Sequence, residues 1–138
     1  MAVAYLTRVV LFSALHRYFR PDWSAARNDA AFGATMHEHG HDYRCEVTVK
    51  GTPDADTGMV IDLGALDRLL SDEVAQRFGN RRIHADVPEF AEGKTIPTGE
   101  MLCIDIWGRL SARLPSTCVL HSVRVAEDET MVAEYRGE

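Results

Sequence analysis

The stretch from His39 to Lys50 most constrains the fold, because its residues alternate between apolar and polar. Every second residue from Tyr43 to Val49 is apolar. Residues two apart in a strand share a face, so the alternation predicts a β-strand with one buried face. His39 and His41 fall on that same face, at its rim. Imidazoles in this position either have a function or are polar side chains that hydrogen-bond to backbone or water.

Similar patterns predict the other elements. Strands are expected at residues 3–14, 119–127 and 131–135. Helices with three- and four-residue apolar spacing are expected from Asp62 to Gly79 and from Thr98 to Pro115. Residues 17–36 are expected to be a loop with room for one helical turn, and residues 80–97 a loop. His121 is placed on the inward face of its strand. The order ββααββ predicts one α+β domain, residues 1–138, in which a four-stranded antiparallel sheet carries both helices on one face.

Composition narrows the classes of function. The chain has 138 residues, is 46% hydrophobic and has a net charge of −6 with 15 scattered basic residues, so we expect neither a nucleic-acid partner nor a membrane partner. The first residues lack a signal-peptide pattern, which predicts a cytoplasmic protein. The three cysteines lack short pairing motifs and lie in apolar runs, so they are expected to be buried free thiols.

Three histidines are the strongest chemical signal. His16 follows the first strand, and His39 and His41 begin the second. If these strands pair, three neutral imidazoles would meet at their ends, and three histidines suit a catalytic Zn²⁺ with an open coordination position. The alternative is a set of polar rim residues bonded to backbone or water.

Six segments also carry a family resemblance. In chain order they are Phe12-Ser13-Ala14-Leu15-His16, His39-Gly40-His41-Asp42-Tyr43, Thr57-Gly58-Met59-Val60-Ile61-Asp62-Leu63, Pro97-Thr98-Gly99-Glu100, Ile106-Trp107 and Tyr135-Arg136-Gly137-Glu138. Together they resemble the 6-pyruvoyltetrahydropterin synthase and 6-carboxytetrahydropterin synthase family, and they span nearly the whole chain.

The resemblance implies a tunnelling fold, in which the sheets of several subunits join into a barrel and pterin-like substrates bind between subunits. It implies a homo-oligomer, a trimer or a hexamer of stacked trimers. His16, His39 and His41 match the family's zinc ligands. Glu127 matches the glutamate that anchors the pterin ring, and Thr98 and Glu100 match residues that line the same pocket.

The sequence departs from this family at its proton-transfer residues. Thr35 stands where the family has a cysteine, and Gly79-Asn80 stands where it has an Asp-His pair. A threonine hydroxyl does not replace a thiolate without an activating neighbour, and an asparagine does not titrate.

Besides Thr35, the candidate catalytic residues are therefore Glu38, His37 and His84. Each of these three has the alternative of being a solvated loop residue.

The resulting hypothesis is a zinc-dependent lyase that acts on a pterin such as 7,8-dihydroneopterin or its triphosphate, by side-chain cleavage or isomerisation. Two alternatives stay open. One is a relative recruited to another pathway with a carbonyl substrate, and the other is a non-catalytic pterin-binding protein.

Overall fold

A computed structural model describes residues 2–138 and contains one four-stranded antiparallel sheet in the order β1-β2-β3-β4. The strands are β1, Ala4–His16; β2, His39–Gly51; β3, Val119–Asp128; and β4, Met131–Tyr135. The predicted sheet is confirmed. β1 runs two residues past its predicted end, and this extension brings His16 opposite His39 in the ladder.

The helices are more numerous than predicted. They are α1, Ala25–Phe32; α2, Leu63–Leu70; α3, Gln76–Phe78; α4, Ile83–Asp86; and α5, Gly99–Ser111. A π-helical turn, Ser71–Ala75, joins α2 to α3, and 3₁₀ turns lie at Gly33–Met36 and Pro88–Phe90.

The loop prediction at 17–36 was wrong in extent, because the eight-residue helix α1 exceeds one turn, and the loop predicted at 80–97 contains the four-residue helix α4. The Ser24 side chain accepts from the Arg27 N–H to cap α1, and the buried Asn28 amide bonds both the N–H and the carbonyl of Arg20. Polar contacts hold the start of this helix and Phe32 packs on Trp23 at its end, so its sequence shows little apolar periodicity.

The two principal helical segments begin at the predicted caps. Asp62 accepts from the Ala65 N–H at 2.9 Å, and Thr98 accepts from the Met101 N–H at 3.1 Å. The first segment ends at Phe78, before Gly79, as predicted. α5 ends at Ser111, earlier than the predicted end at Pro115.

The hydrophobic core lies between one face of the sheet and these two helical segments. It includes Tyr43, Cys45, Val47, Val49, Leu66, Leu70, Val74, Phe78, Leu102, Ile106, Val123 and Val125. Both segments therefore pack on the same face of the sheet, as predicted. Cys45, Cys103 and Cys118 are buried free thiols, and burial raises the pKa of Cys45 to about 12.

A β-bulge corrects the predicted face of His121. Thr48 pairs with Ser122, whereas Val49 pairs with Leu120, so the register shifts between them. His121 lies edge-on to the exposed ring of Tyr5, 4.7 Å between centroids, and Leu120 takes the buried position. A bulge adds one unpaired residue and ends strict alternation.

Among residues 2–138, no helix combines the length and the apolar composition needed to cross a membrane.

Candidate metal centre and neighbouring pocket

The pairing of β1 with β2 brings the three predicted ligands together. His16 lies opposite His39, and His41 lies opposite Ala14. The ring centroid of His16 is 4.5 Å from that of His39 and 5.0 Å from that of His41. One ligand nitrogen from each of the three rings lies within 4.8 Å of the other two, so the three side chains could hold one metal ion.

Hydrogen bonds on two rings select which nitrogen faces this space. The Nδ1 atom of His16 lies 2.9 Å from the Pro97 carbonyl oxygen, and that of His39 lies 2.8 Å from the His37 carbonyl oxygen. A carbonyl only accepts, so each Nδ1 carries a hydrogen, and in the neutral form of each ring the lone pair is then on Nε2.

The free nitrogens fit a metal ion. Within residues 2–138, Nε2 of His16 and Nε2 of His41 are buried and have no hydrogen-bond partner. Burial lowers the pKa of His16 to about 4, so its imidazole is neutral at pH 7. Neutral imidazoles with unpaired Nε2 atoms are suitable ligands for Zn²⁺, and three of them leave a fourth position open.

Glu127 lies beside this cluster, near the end of β3. Its side chain is 6% exposed, and its Oε2 atom lies 3.5 Å from Nε2 of His41. Glu100 and Glu127 line the same cavity of about 240 Å³, and Thr98 caps the helix that begins at this cavity. The structure therefore brings the three predicted substrate-binding residues to one region.

Two tyrosines at the site were missed by the sequence analysis. The Tyr18 hydroxyl donates to Glu127 Oε1 at 3.1 Å, and the Tyr43 hydroxyl lies 3.0 Å from Nδ1 of His16. Burial and the Glu127 carboxylate raise the pKa of Tyr18, so its hydroxyl keeps its proton at neutral pH. The position of Tyr18 two residues after His16 is a weak signal, since its partner is remote in sequence.

Two of the predicted catalytic residues lie together. Oε2 of Glu38 lies 3.1 Å from Nε2 of His84, which is 3% exposed, and 2.8 Å from the Arg82 guanidinium. The hydrogen bond from Arg82 lowers the pKa of Glu38, and burial lowers the pKa of His84. The two residues form a close carboxylate–imidazole contact, although neither ring nitrogen of His84 has hydrogen-bond geometry to a partner among residues 2–138.

The other two lie apart from this pair. The Thr35 hydroxyl donates to the Phe32 carbonyl at 2.5 Å. His37 is exposed, and its carbonyl holds the ring of His39. Asn80 adopts a positive φ of 57°, and its N–H donates to the Ser13 carbonyl. This tight turn carries no titratable side chain at the positions of the missing Asp-His pair.

Comparison with known proteins decides the family. The sequence matches the family described as 6-pyruvoyl tetrahydropterin synthase over residues 5–138. The chain belongs to this family.

Several relatives support this assignment. The chain is 36% identical to the 6-pyruvoyl tetrahydrobiopterin synthase of Drosophila melanogaster, over 98% of this chain and 80% of the relative. It is 34% identical to that of Homo sapiens, over 98% and 92%. The structure of the Caenorhabditis elegans 6-pyruvoyl tetrahydropterin synthase matches with a TM-score of 0.91 at 30% identity, over 100% of this chain and 98% of that one. The predicted tunnelling fold is thereby confirmed.

Proposed function

We propose that the protein is a zinc-dependent lyase that acts on the side chain of a 7,8-dihydropterin, such as 7,8-dihydroneopterin or its triphosphate. The observation that supports this most directly is the set of three imidazoles beside a buried carboxylate. Membership of the synthase family supports a pterin substrate.

The residues of the site divide into those that would hold the zinc ion and those that would bind the pterin ring. A bound zinc ion would polarise side-chain oxygens of the substrate and make the neighbouring C–H and O–H bonds more acidic. His16, His39 and His41 would hold the ion through Nε2. Glu127 would bind the ring, since a carboxylate accepts two parallel hydrogen bonds from ring N–H and amino donors. Thr98 and Glu100 complete the ring pocket.

Proton transfer is assigned to the Glu38–His84 pair. We propose that His84 carries the proton and that Glu38, kept ionised by Arg82, orients the imidazole. These roles are those of other carboxylate–imidazole pairs, in which the carboxylate holds the imidazole ring in one orientation. Thr35 and His37 contribute less, because the Thr35 hydroxyl is bonded to backbone and His37 points to solvent.

Membership of the synthase family and the exposed apolar side chains on the edge strands support a homo-oligomer, which we propose to be a trimer or a hexamer. We propose the cytoplasm as its location.

Product analysis tests the proposed activity. The zinc-loaded protein is incubated with 7,8-dihydroneopterin and, separately, with its triphosphate, and products are identified by mass spectrometry. Zinc-dependent loss or rearrangement of the pterin side chain supports the proposal. The Glu127→Gln variant should show lower activity. Tight pterin binding without turnover would instead identify a pterin-binding protein. Absence of binding would favour a relative with a non-pterin carbonyl substrate.

A further inference from the structure

Tyr18 connects the two halves of the proposed site. Its ring centroid lies 4.9 Å from that of His16 and 6.3 Å from that of His39. Its hydroxyl donates to Glu127 Oε1 at 3.1 Å. One side chain therefore contacts the metal-ligating histidines through its ring and the pterin-anchoring carboxylate through its hydroxyl.

The backbone and ring of Tyr18 are held in place. The Tyr18 N–H donates to the Thr35 carbonyl at 2.9 Å, which ties the chain after β1 to the 3₁₀ turn before β2. The Phe32 ring packs on Tyr18, 6.1 Å between centroids. These contacts orient the hydroxyl toward Glu127.

The Glu127 carboxylate retains capacity for a ligand while it is bonded to Tyr18. Oε1 accepts from Tyr18, and Oε2 faces Nε2 of His41 at 3.5 Å. A carboxylate has about four acceptor positions, so two ring donors can bind beside the tyrosine. The hydroxyl restricts rotation of the Glu127 carboxylate before a ligand binds. Without the hydroxyl, the carboxylate would lose this rotational freedom only on binding, which lowers the affinity.

We propose that Tyr18 is a positioning residue for the pterin ring, which acts by fixing the plane of the Glu127 carboxylate next to the histidine cluster. This inference rests on the proposed function. It concerns a residue that carries no chemical step itself.

Binding measurements with one conservative variant test the inference. Tyr18→Phe removes only the hydroxyl. Tyr135→Phe is the matched control, since Tyr135 lies in β4 and packs edge-on against Trp107 of α5. The zinc-loaded proteins are titrated with neopterin, and zinc per subunit is measured in each. Because Tyr18 acts by ordering the Glu127 side chain before binding, the cost of ordering one side chain on binding gives an expected loss of affinity of up to about tenfold for Tyr18→Phe. Zinc content should stay unchanged, and Tyr135→Phe should bind like the parent.

A double-mutant cycle separates positioning from a general structural effect. If Tyr18 acts through Glu127, then Tyr18→Phe should change affinity by less than about twofold in a Glu127→Gln background. An equal loss in both backgrounds, or loss of zinc in Tyr18→Phe, overturns the inference. If the parent binds neopterin and Tyr18→Phe binds it equally well, this inference alone is overturned. A parent that does not bind neopterin overturns the proposed function and the inference with it.

Discussion

Individual histidines in this protein differ in what their second ring nitrogen contacts. In His16 and His39 a backbone carbonyl occupies Nδ1 and leaves Nε2 toward the shared space. His121 instead lies against Tyr5, on the opposite side of the sheet from the core. The carbonyl partners are outer contacts of the kind that orient metal-binding imidazoles.

Membership of the cluster of His16, His39 and His41 predicts which histidine replacement removes zinc. His39→Ala or His41→Ala should abolish stoichiometric zinc, because two remaining imidazoles share the ion with water. His121→Ala is the control and should retain one zinc per subunit. Elemental analysis of purified protein measures both. Full zinc occupancy in His39→Ala would contradict the proposed ligand set.

Thr35 and Asn80 predict poor formation of the pyruvoyl product from dihydroneopterin triphosphate. Neither side chain supplies the thiolate or the imidazole that the family has at these positions. Acid–base groups typically contribute about 10²- to 10⁴-fold to the rate. The double variant Thr35→Cys, Asn80→His should raise this reaction at least about tenfold, since histidine tolerates the positive φ at position 80. Product formation is measured by mass spectrometry.

Thr35→Ser with Asn80→His is the matched control, because it restores the imidazole without the thiol. Efficient pyruvoyl formation by the parent would be contrary to this expectation and would mean that the Glu38–His84 pair supports this reaction without the thiol.

At the level of elements, the segment before β2 and helix α4 meet through side chains. Glu38 precedes β2, whereas Arg82 and His84 belong to the region of α4. The Leu15 N–H also donates to the Arg81 carbonyl at 2.9 Å, so the region of α4 is anchored beside the end of β1. These contacts hold the proposed proton-transfer pair beside the strands that carry the histidines.

Non-additive kinetics should reveal this pair. His84→Asn and Glu38→Gln should each lower kcat, and the double variant should be little worse than His84→Asn, because residues that act as a unit are not additive. We expect about a 10²-fold loss for His84→Asn. Glu46→Gln is the control, since Glu46 pairs with Arg44 on β2 outside the pair. Additive losses, or a loss of zinc, would contradict the pairing.

The whole subunit leaves sheet surface uncovered. The sheet ends in β1 and β4, and the exposed apolar side chains include Tyr5, Leu11, Met131 and Val132 on these two strands. Open edges with apolar side chains favour pairing with another chain. Symmetric copies of the same subunit are the commonest partners of such surfaces.

The protein is therefore expected to be an oligomer at micromolar concentration. Light scattering should give a mass of a trimer or hexamer, and dilution should not release much monomer. A mass near 15.4 kDa, that of one chain, would refute this expectation.

Local patterns alone were enough for the strands and helix starts that face the core. Alternation from Tyr43 to Val49 predicted β2, and the caps at Asp62 and Thr98 predicted the two principal helical segments, because each signal depends on neighbours in sequence. The three histidines could be grouped from the strand order and the resemblance before any geometry was known.

Only the tertiary structure placed the remaining parts. α1 is held by polar contacts, and the bulge at His121 reverses a face that alternation alone assigns inward. Tyr18 reaches Glu127 across 109 residues, and Arg82 reaches Glu38 across 44. Such contacts depend on how β1, β3 and α4 come together, and periodicity contains no information about pairs that distant. The chain by itself determined its sheet and its cluster of imidazoles, while packing decided which side chains surround them.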